Sequence, residues 1–271
     1  MVTDVQFADA VGISRCIVAA GVLIWTLEYF ALARYLGRNR ILSWDIGQLR
    51  FRWTSIDGLE AVARWVFGPV GGMGQLAARF LAALLLLAPN QSSMWYALAL
   101  FTIALSSIAW FIRSPQGQDG SDQVFLLLAG SMAIGFLANS ATTWNLVMLF
   151  VVLQLTICYL TAGLTKLRSP EWRNGIAIEY VFRTSTYGNS TFYDLIRSHQ
   201  GIRLGVTWFV IIFEVIFPLA FFVPRELGMG LIAIPLGFHL ATALLMGLNL
   251  FLISFLAAYP FVLVFILGES L

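Results

Sequence analysis

Residues 159–175 read YLTAGLTKLRSPEWRNG. The stretch begins inside a long apolar run, Leu146 to Leu164, and ends in a polar segment bearing arginine. An uninterrupted run of that length is a membrane-spanning helix, and Lys166 sits where it meets the polar segment. Lys166 is the single lysine of the chain, against fifteen arginines. Arginine keeps its proton at any relevant pH, whereas a lysine in an apolar pocket can give it up and act as a base. The plain alternative is a lysine whose stem lies along apolar surface while its head reaches the membrane–water boundary.

The rest of the chain agrees with a membrane setting. Of 271 residues, 59% are hydrophobic and 11% charged, with a mean hydropathy of +0.84; soluble domains carry about 25% charge. Without strand-like alternation the expected class is an all-α integral membrane protein rather than a barrel. It is expected to be multi-pass, in a bacterial-type inner (plasma) membrane, with the lipid bilayer as its first partner. The net charge of +2 gives no sign of nucleic acid. Cys16 and Cys158 lie in apolar runs with neither metal spacing nor a CxxC pair, and read as packing residues. No cleavable signal peptide is expected, because Asp4 and Asp9 precede the first run in place of a basic segment.

Eight spans are expected, at Ile13–Tyr35, Gln75–Ala88 (its start open by a few residues), Met94–Ile112, Val124–Ala138, Leu146–Leu164, Leu204–Val223, Leu227–Met246 and Leu250–Leu267. Arginines and tryptophans mixed through Leu36–Gly74 predict one or two helices on the membrane surface. In the long polar connection from Arg168 to Gly201, Glu171–Phe182 predicts a short helix, with Ser169 as N-cap and Pro170 in the first position. Neither a repeat nor a linker is visible, so residues 1–271 read as one domain. Arginines cluster on the side that receives Arg34–Arg64, Arg113, Lys166–Arg203, which the positive-inside rule places in the cytoplasm, with both termini outside.

Charged groups within spans are costly, roughly 2.5–3.5 kcal/mol each on insertion scales, and usually find partners inside the bundle. Here they are Arg15, Glu28, Arg79, Asp122, Lys166 and Glu214, joined by His239. Tyr159, Gly163 and Lys166 share a helix face at i, i+4 and i+7. Gly163 leaves room one turn from the amine for a flat ligand or a neighbouring helix. Pro218, one turn after Glu214, and Pro235, one turn before His239, each free a carbonyl four residues back. With His199 in a polar loop, the two histidines build no metal site.

The stretch AGLTKLRSPEWRNG, residues 162–175, resembles the AG-x-x-K-L…W…G signature of the horizontally transferred transmembrane (HTTM) domain, the membrane part of vitamin K-dependent γ-carboxylases. Further pieces follow in the same order: Arg15 leading into the first span, GSDQ before the fourth, FEVIFP in the sixth, and FHLATALLMGLNLF across the last two. The resemblance implies a carboxylase-like membrane protein with Lys166 as general base toward a reduced quinone, vitamin K-like cofactor. Glu214 and His239 join Lys166 as catalytic candidates, and Tyr159, Gly163, Trp172 and Asp122 are the ligand-binding candidates. Three departures accompany it. The chain ends at Leu271 without the family's large luminal region; Ser121-Asp122-Gln123 stands where the carboxylases carry a histidine; and their lysine works on the luminal side, opposite to the arginine count here. The second expectation is a non-catalytic membrane subunit that packs against partner helices or pigments in a larger assembly. A transporter is disfavoured by the lack of inverted repeats.

Overall fold

Local chemistry sets where each apolar run starts and stops as a helix. The computed structural model describes residues 4–35, 40, 43–51, 58–113 and 120–268, and among them every regular element is helical. In chain order the elements are α1 (Asp4–Ala31), α2 (Trp44–Gly47), α3 (Leu59–Phe67), α4 (Pro69–Leu87), α5 (Ser93–Arg113), α6 (Gly120–Ala138), α7 (Ala141–Arg168), α8 (Pro170–Arg173), α9 (Ile176–Arg183), α10 (Ser190–Ser198), α11 (Gln200–Ile216), α12 (Arg225–Met246) and α13 (Asn249–Leu267). Eight of them are long and apolar enough to cross a membrane: Phe7–Ala31, Pro69–Leu87, Ser93–Arg113, Gly120–Ala138, Ala141–Arg168, Gln200–Phe221, Arg225–Met246 and Asn249–Leu267. The chain is an all-α integral membrane protein. Its outer surface agrees, since Leu81, Leu105 and Leu244 are 64%, 64% and 76% exposed, a pattern suited to lipid.

The boundaries differ from expectation in instructive ways. Helix α1 starts well before Ile13, because a helix continues through polar residues as readily as through apolar ones. Helix α4 starts at Pro69, where a missing N–H costs nothing. The sixth span leaves α geometry at Ile216 and continues as a 3-10 turn, Phe217–Phe221, because Pro218 cannot donate to the carbonyl of Glu214. Between the fifth and sixth spans Ser169 caps α8 as expected, its hydroxyl accepting from the Trp172 N–H at 3.3 Å, with Pro170 first in the helix. That hydroxyl also donates to Glu171 at 2.7 Å and holds the Glu171 carboxyl below its ordinary pKa. The expected Glu171–Phe182 helix is corrected: Gly175 turns left-handed at φ +74°, and α8 and α9 are separate.

The contacts divide into two compact units, Met1–Ser14 with Met148–Leu271, and Arg15–Val147. Both divisions fall inside helices, α1 and α7, which is why no linker shows in the sequence. In the Arg15–Val147 unit, α4, α5 and α6 pack side by side around Leu76, Leu100, Leu128 and Met132. Arg15 finds its partners on another helix, donating to the carbonyls of Leu86 and Ala88 at the end of α4 and lying 4.3 Å over the Tyr96 ring. There the negative end of the helix dipole meets a cation. Arg79, 3% exposed, lies 3.9 Å over Trp25 and donates to Ser106 and Ser107 at 3.3 and 2.9 Å.

In the other unit α12 and α13 form a hairpin, and α7 meets α11 closely at Gly163. A side chain on Gly163 would put its Cβ 2.8 Å from the Val215 backbone nitrogen and 2.9 Å from the Glu214 Cβ. The space left by that glycine is therefore taken by α11. With no hydrophobic drive between helices in lipid, such close approach is what holds them together.

Gly163→Ala is expected to destabilise this unit by about 1–3 kcal/mol, the usual cost of overpacking. Gly205→Ala, inside α11 with nothing within 4 Å of the new Cβ, should instead stabilise by about 1 kcal/mol. Unfolding both variants in mixed micelles compares the two signs directly.

Candidate functional site in the Met148–Leu271 unit

Lys166 lies two residues from the end of α7, where a cation complements the helix dipole. Its amine donates to both carboxylate oxygens of Glu214, at 2.7 and 2.8 Å. The two side chains are 19% and 6% exposed. The Nζ also lies 5.2 Å from the centroid of the Trp172 ring, within cation–π range. Two of the catalytic candidates and one of the ligand-binding candidates thus form one cluster, drawn together by α7, α8 and α11.

The cluster lies at unequal positions along its two long helices, near the end of α7 but far from the start of α11. Glu214 is the fifteenth residue of α11, about 21 Å from its start at 1.5 Å per residue. Helix α7 ends level with Glu214, so most of α11 continues beyond it. Helices α8 and α9 fold back onto that overhang. Glu179 of α9 accepts from Arg203 of α11 at 2.8 Å, and the Asn189 side chain, which caps α10, donates to the Leu245 carbonyl at 3.3 Å. Beneath, Ile178, Phe182 and Ile196 form an apolar cluster that Val206, Leu245 and Met246 join.

Where α7 stops short, a cavity of about 730 Å³ remains. Helix α7 contributes only Lys166 to its wall, α8 contributes Trp172, and α9 to α13 contribute apolar side chains including Phe182, Phe209, Phe238 and Phe251. Gly237, with nothing within 4 Å of where a Cβ would be, leaves the α12 wall open. This is the size and composition of a small-molecule site, largely apolar with few polar groups to orient a ligand.

Tyr159 and His239 form a second cluster. The Tyr159 hydroxyl lies 2.6 Å from His239 Nε2 and 3.4 Å from the Tyr259 hydroxyl. Its ring packs 4.2 Å from Phe217, and the His239 ring stacks on Phe255 at 4.1 Å. His239 is 1% exposed, and its Nδ1 has no hydrogen-bond partner among the described residues. Seven residues, about 10 Å of helix, separate Tyr159 from Lys166 along α7, so the expected single pocket is two polar clusters. Neither Tyr159 nor His239 lines the cavity. Gly163 serves helix contact, and Asp122, near the start of α6, belongs to the Arg15–Val147 unit.

Tyr259 escaped the sequence reading because a tyrosine within an apolar run looks like core. The cavity escaped it because seven helices, α7 to α13, build the wall, and no local pattern announces that. Among the described residues no cluster of three or more His, Cys, Asp or Glu could hold a metal ion. Comparison with family models, with curated proteins and with solved structures gave no match.

Glu214→Leu strands the amine in an apolar setting and should cost about 3–5 kcal/mol. The double variant Lys166→Met/Glu214→Leu removes both charges and should recover most of that loss. Denaturant unfolding of the wild type, Lys166→Met, Glu214→Leu and the double variant yields the coupling; additive losses would show that the pair is not formed.

Proposed function

We propose that this chain is a carboxylase-like membrane enzyme, of HTTM type and resident in a bacterial-type inner membrane, that deprotonates a lipid-soluble phenol or hydroquinone. The observation that carries the reading is the Lys166 amine on the wall of an apolar cavity of about 730 Å³, bonded on its far side to Glu214. A flat ring with an apolar tail fits that lining, and the Trp172 indole offers it a face.

The pair as a whole carries no net charge, which suits a neutral hydroxyl better than a carboxylate or phosphate headgroup. A hydroxyl against Lys166 would release its proton to the amine while the ammonium passes one of its own to a Glu214 oxygen. The sum is one proton moved from ligand to Glu214, with Lys166 left as ammonium beside the new oxyanion. Two donor–acceptor distances of 2.7 and 2.8 Å support that transfer. Exclusion of water from the apolar cavity would strengthen the ammonium–oxyanion attraction. Bound reduced quinone would supply the electrons for any later oxygen chemistry; the protein's part is to bind, orient and take the proton.

Reconstituted protein given a reduced naphthoquinone provides the test. Lys166→Arg keeps the charge and the contact with Glu214 but cannot release a proton. It should bind the quinone, read by tryptophan quenching that Trp172→Phe diminishes, within about threefold of wild type. Its rate of quinol oxidation should fall at least about a hundredfold, the lower range for loss of a general base. Unchanged turnover in Lys166→Arg would reduce the pair to a structural one and leave the non-catalytic subunit in its place.

A further inference from the structure

The Arg15–Val147 unit holds a second cavity, of about 550 Å³, between α2, α3 and the start of α4. Its wall includes Ser43, Trp44, Asp45, Glu60 and Arg64, so unlike the first it is rich in charge. Two observations stand out there. Ser43 stands at an N-cap position, yet its hydroxyl makes no capping bond; it is 3% exposed and has no hydrogen-bond partner among the described residues. Trp44 is 2% exposed, and among the described residues its indole N–H likewise lacks an acceptor. A buried donor left unpaired costs about 1–3 kcal/mol, so two on one cavity point to something that pairs them.

The backbone adds more donors. Helices α3 and α4 begin at Gly58 and Gly68, both on the cavity wall and both without a side-chain cap. The first helical bonds run from Val62 to Gly58 and from Gly72 to Gly68. The N–H groups of the turns in between have no helical acceptor, and the dipole makes each start attractive to an anion. Arg64 would complete an anion site, but Asp45 and Glu60 on the same wall oppose a simple anion. Arg64 and Glu60 now pair with each other one helical turn apart, on side chains 57% and 43% exposed. Such a surface pair contributes only about 0.3–0.5 kcal/mol and is easily exchanged for other partners. Around the mouth Trp65 and Val70 are 75% and 81% exposed, as suits the level where headgroups meet acyl chains.

We propose that this cavity binds the headgroup of a zwitterionic phospholipid. The phosphodiester takes the donors of the α4 start, Arg64, Ser43 and Trp44; the headgroup ammonium takes Asp45 and Glu60. A zwitterion answers both signs of charge on the wall, whereas an anionic lipid takes Arg64 from Glu60 and offers that carboxylate no cation in return. The proposal does not depend on the chemistry at Lys166.

The purified full-length protein in detergent, titrated with phosphatidylethanolamine or phosphatidylglycerol of matched chains and read by native mass spectrometry, tests it. Phosphatidylethanolamine should be retained at least about tenfold better. The exposed double variant Asp45→Asn/Glu60→Gln should bring that preference below about threefold. Trp44→Phe keeps the ring and removes only the orphan N–H, so lipid-free thermal stability should hold or rise while phosphatidylethanolamine retention falls several-fold. Should Trp44→Phe fail to fold, Ser43→Ala is read in the same way. Millimolar glycerophosphoethanolamine should compete, and inorganic phosphate should not. Equal retention of the two lipids by wild type, an unaltered preference in the double variant, retention unchanged in the donor variant, no competition by glycerophosphoethanolamine, or competition by phosphate would each overturn the proposal.

Discussion

The Lys166–Glu214 contact is the constraint from which the geometry of its unit follows. Both groups lie on apolar helices, and neither can be left alone in that setting without a cost of several kcal/mol. The pair forms at 2.7–2.8 Å only if α7 and α11 approach closely. Gly163 permits that approach three residues before Lys166, where its bare Cα meets the Glu214 Cβ and the Val215 backbone. A small residue and a charged pair therefore act as one device: the first lets the backbones meet, the second fixes their register.

That register has a consequence for depth. With Lys166 level with Glu214, α7 ends while α11 still has fourteen residues to run toward its start. A helical hairpin of unequal arms leaves a void, and the polar connection folds back over it as α8, α9 and α10. Two polar ties hold the cover down, Glu179 to Arg203 and Asn189 to the Leu245 carbonyl. Glu179 and Arg203 are 24% and 19% exposed, and Leu245 lies in the last turn of α12, where helix carbonyls lack helical donors. The apolar cavity is thus a product of helix length rather than of any motif, and the amine reaches it because it sits at the end of the short arm.

The sequence made the spans readable because an apolar run of that length has few other uses. It also exposed the Ser169–Pro170 helix start, where two residue types with specific backbone roles stand together. It misled at Gly175, which reads as a tolerated helix residue but takes a left-handed turn. The polar beginning of α11, Gln200 to Arg203, hid part of the overhang, because the expected span starts only at Leu204. Lys166 and Glu214 were each singled out as intramembrane charges, but 48 residues separate them, and no local spacing announces a partner that far away. The unit boundaries were hidden inside α1 and α7, and the orphan donors of Ser43 and Trp44 are visible only once burial is known.

The choice of residue at position 166 bears on whether the pair is structural or chemical. For a pair whose task is to hold two helices together, arginine is the stronger choice, since its planar fork matches a carboxylate with two parallel bonds and never loses its charge. The chain uses arginine at every other cationic position of this kind, including Arg203 opposite Glu179 and the deeply buried Arg79. On the wall of the apolar cavity it uses lysine. What lysine offers there and arginine does not is a proton that can leave, with Glu214 within 2.8 Å to receive it. Compositional drift accounts for the arginines; the proposed proton transfer would account for the one lysine.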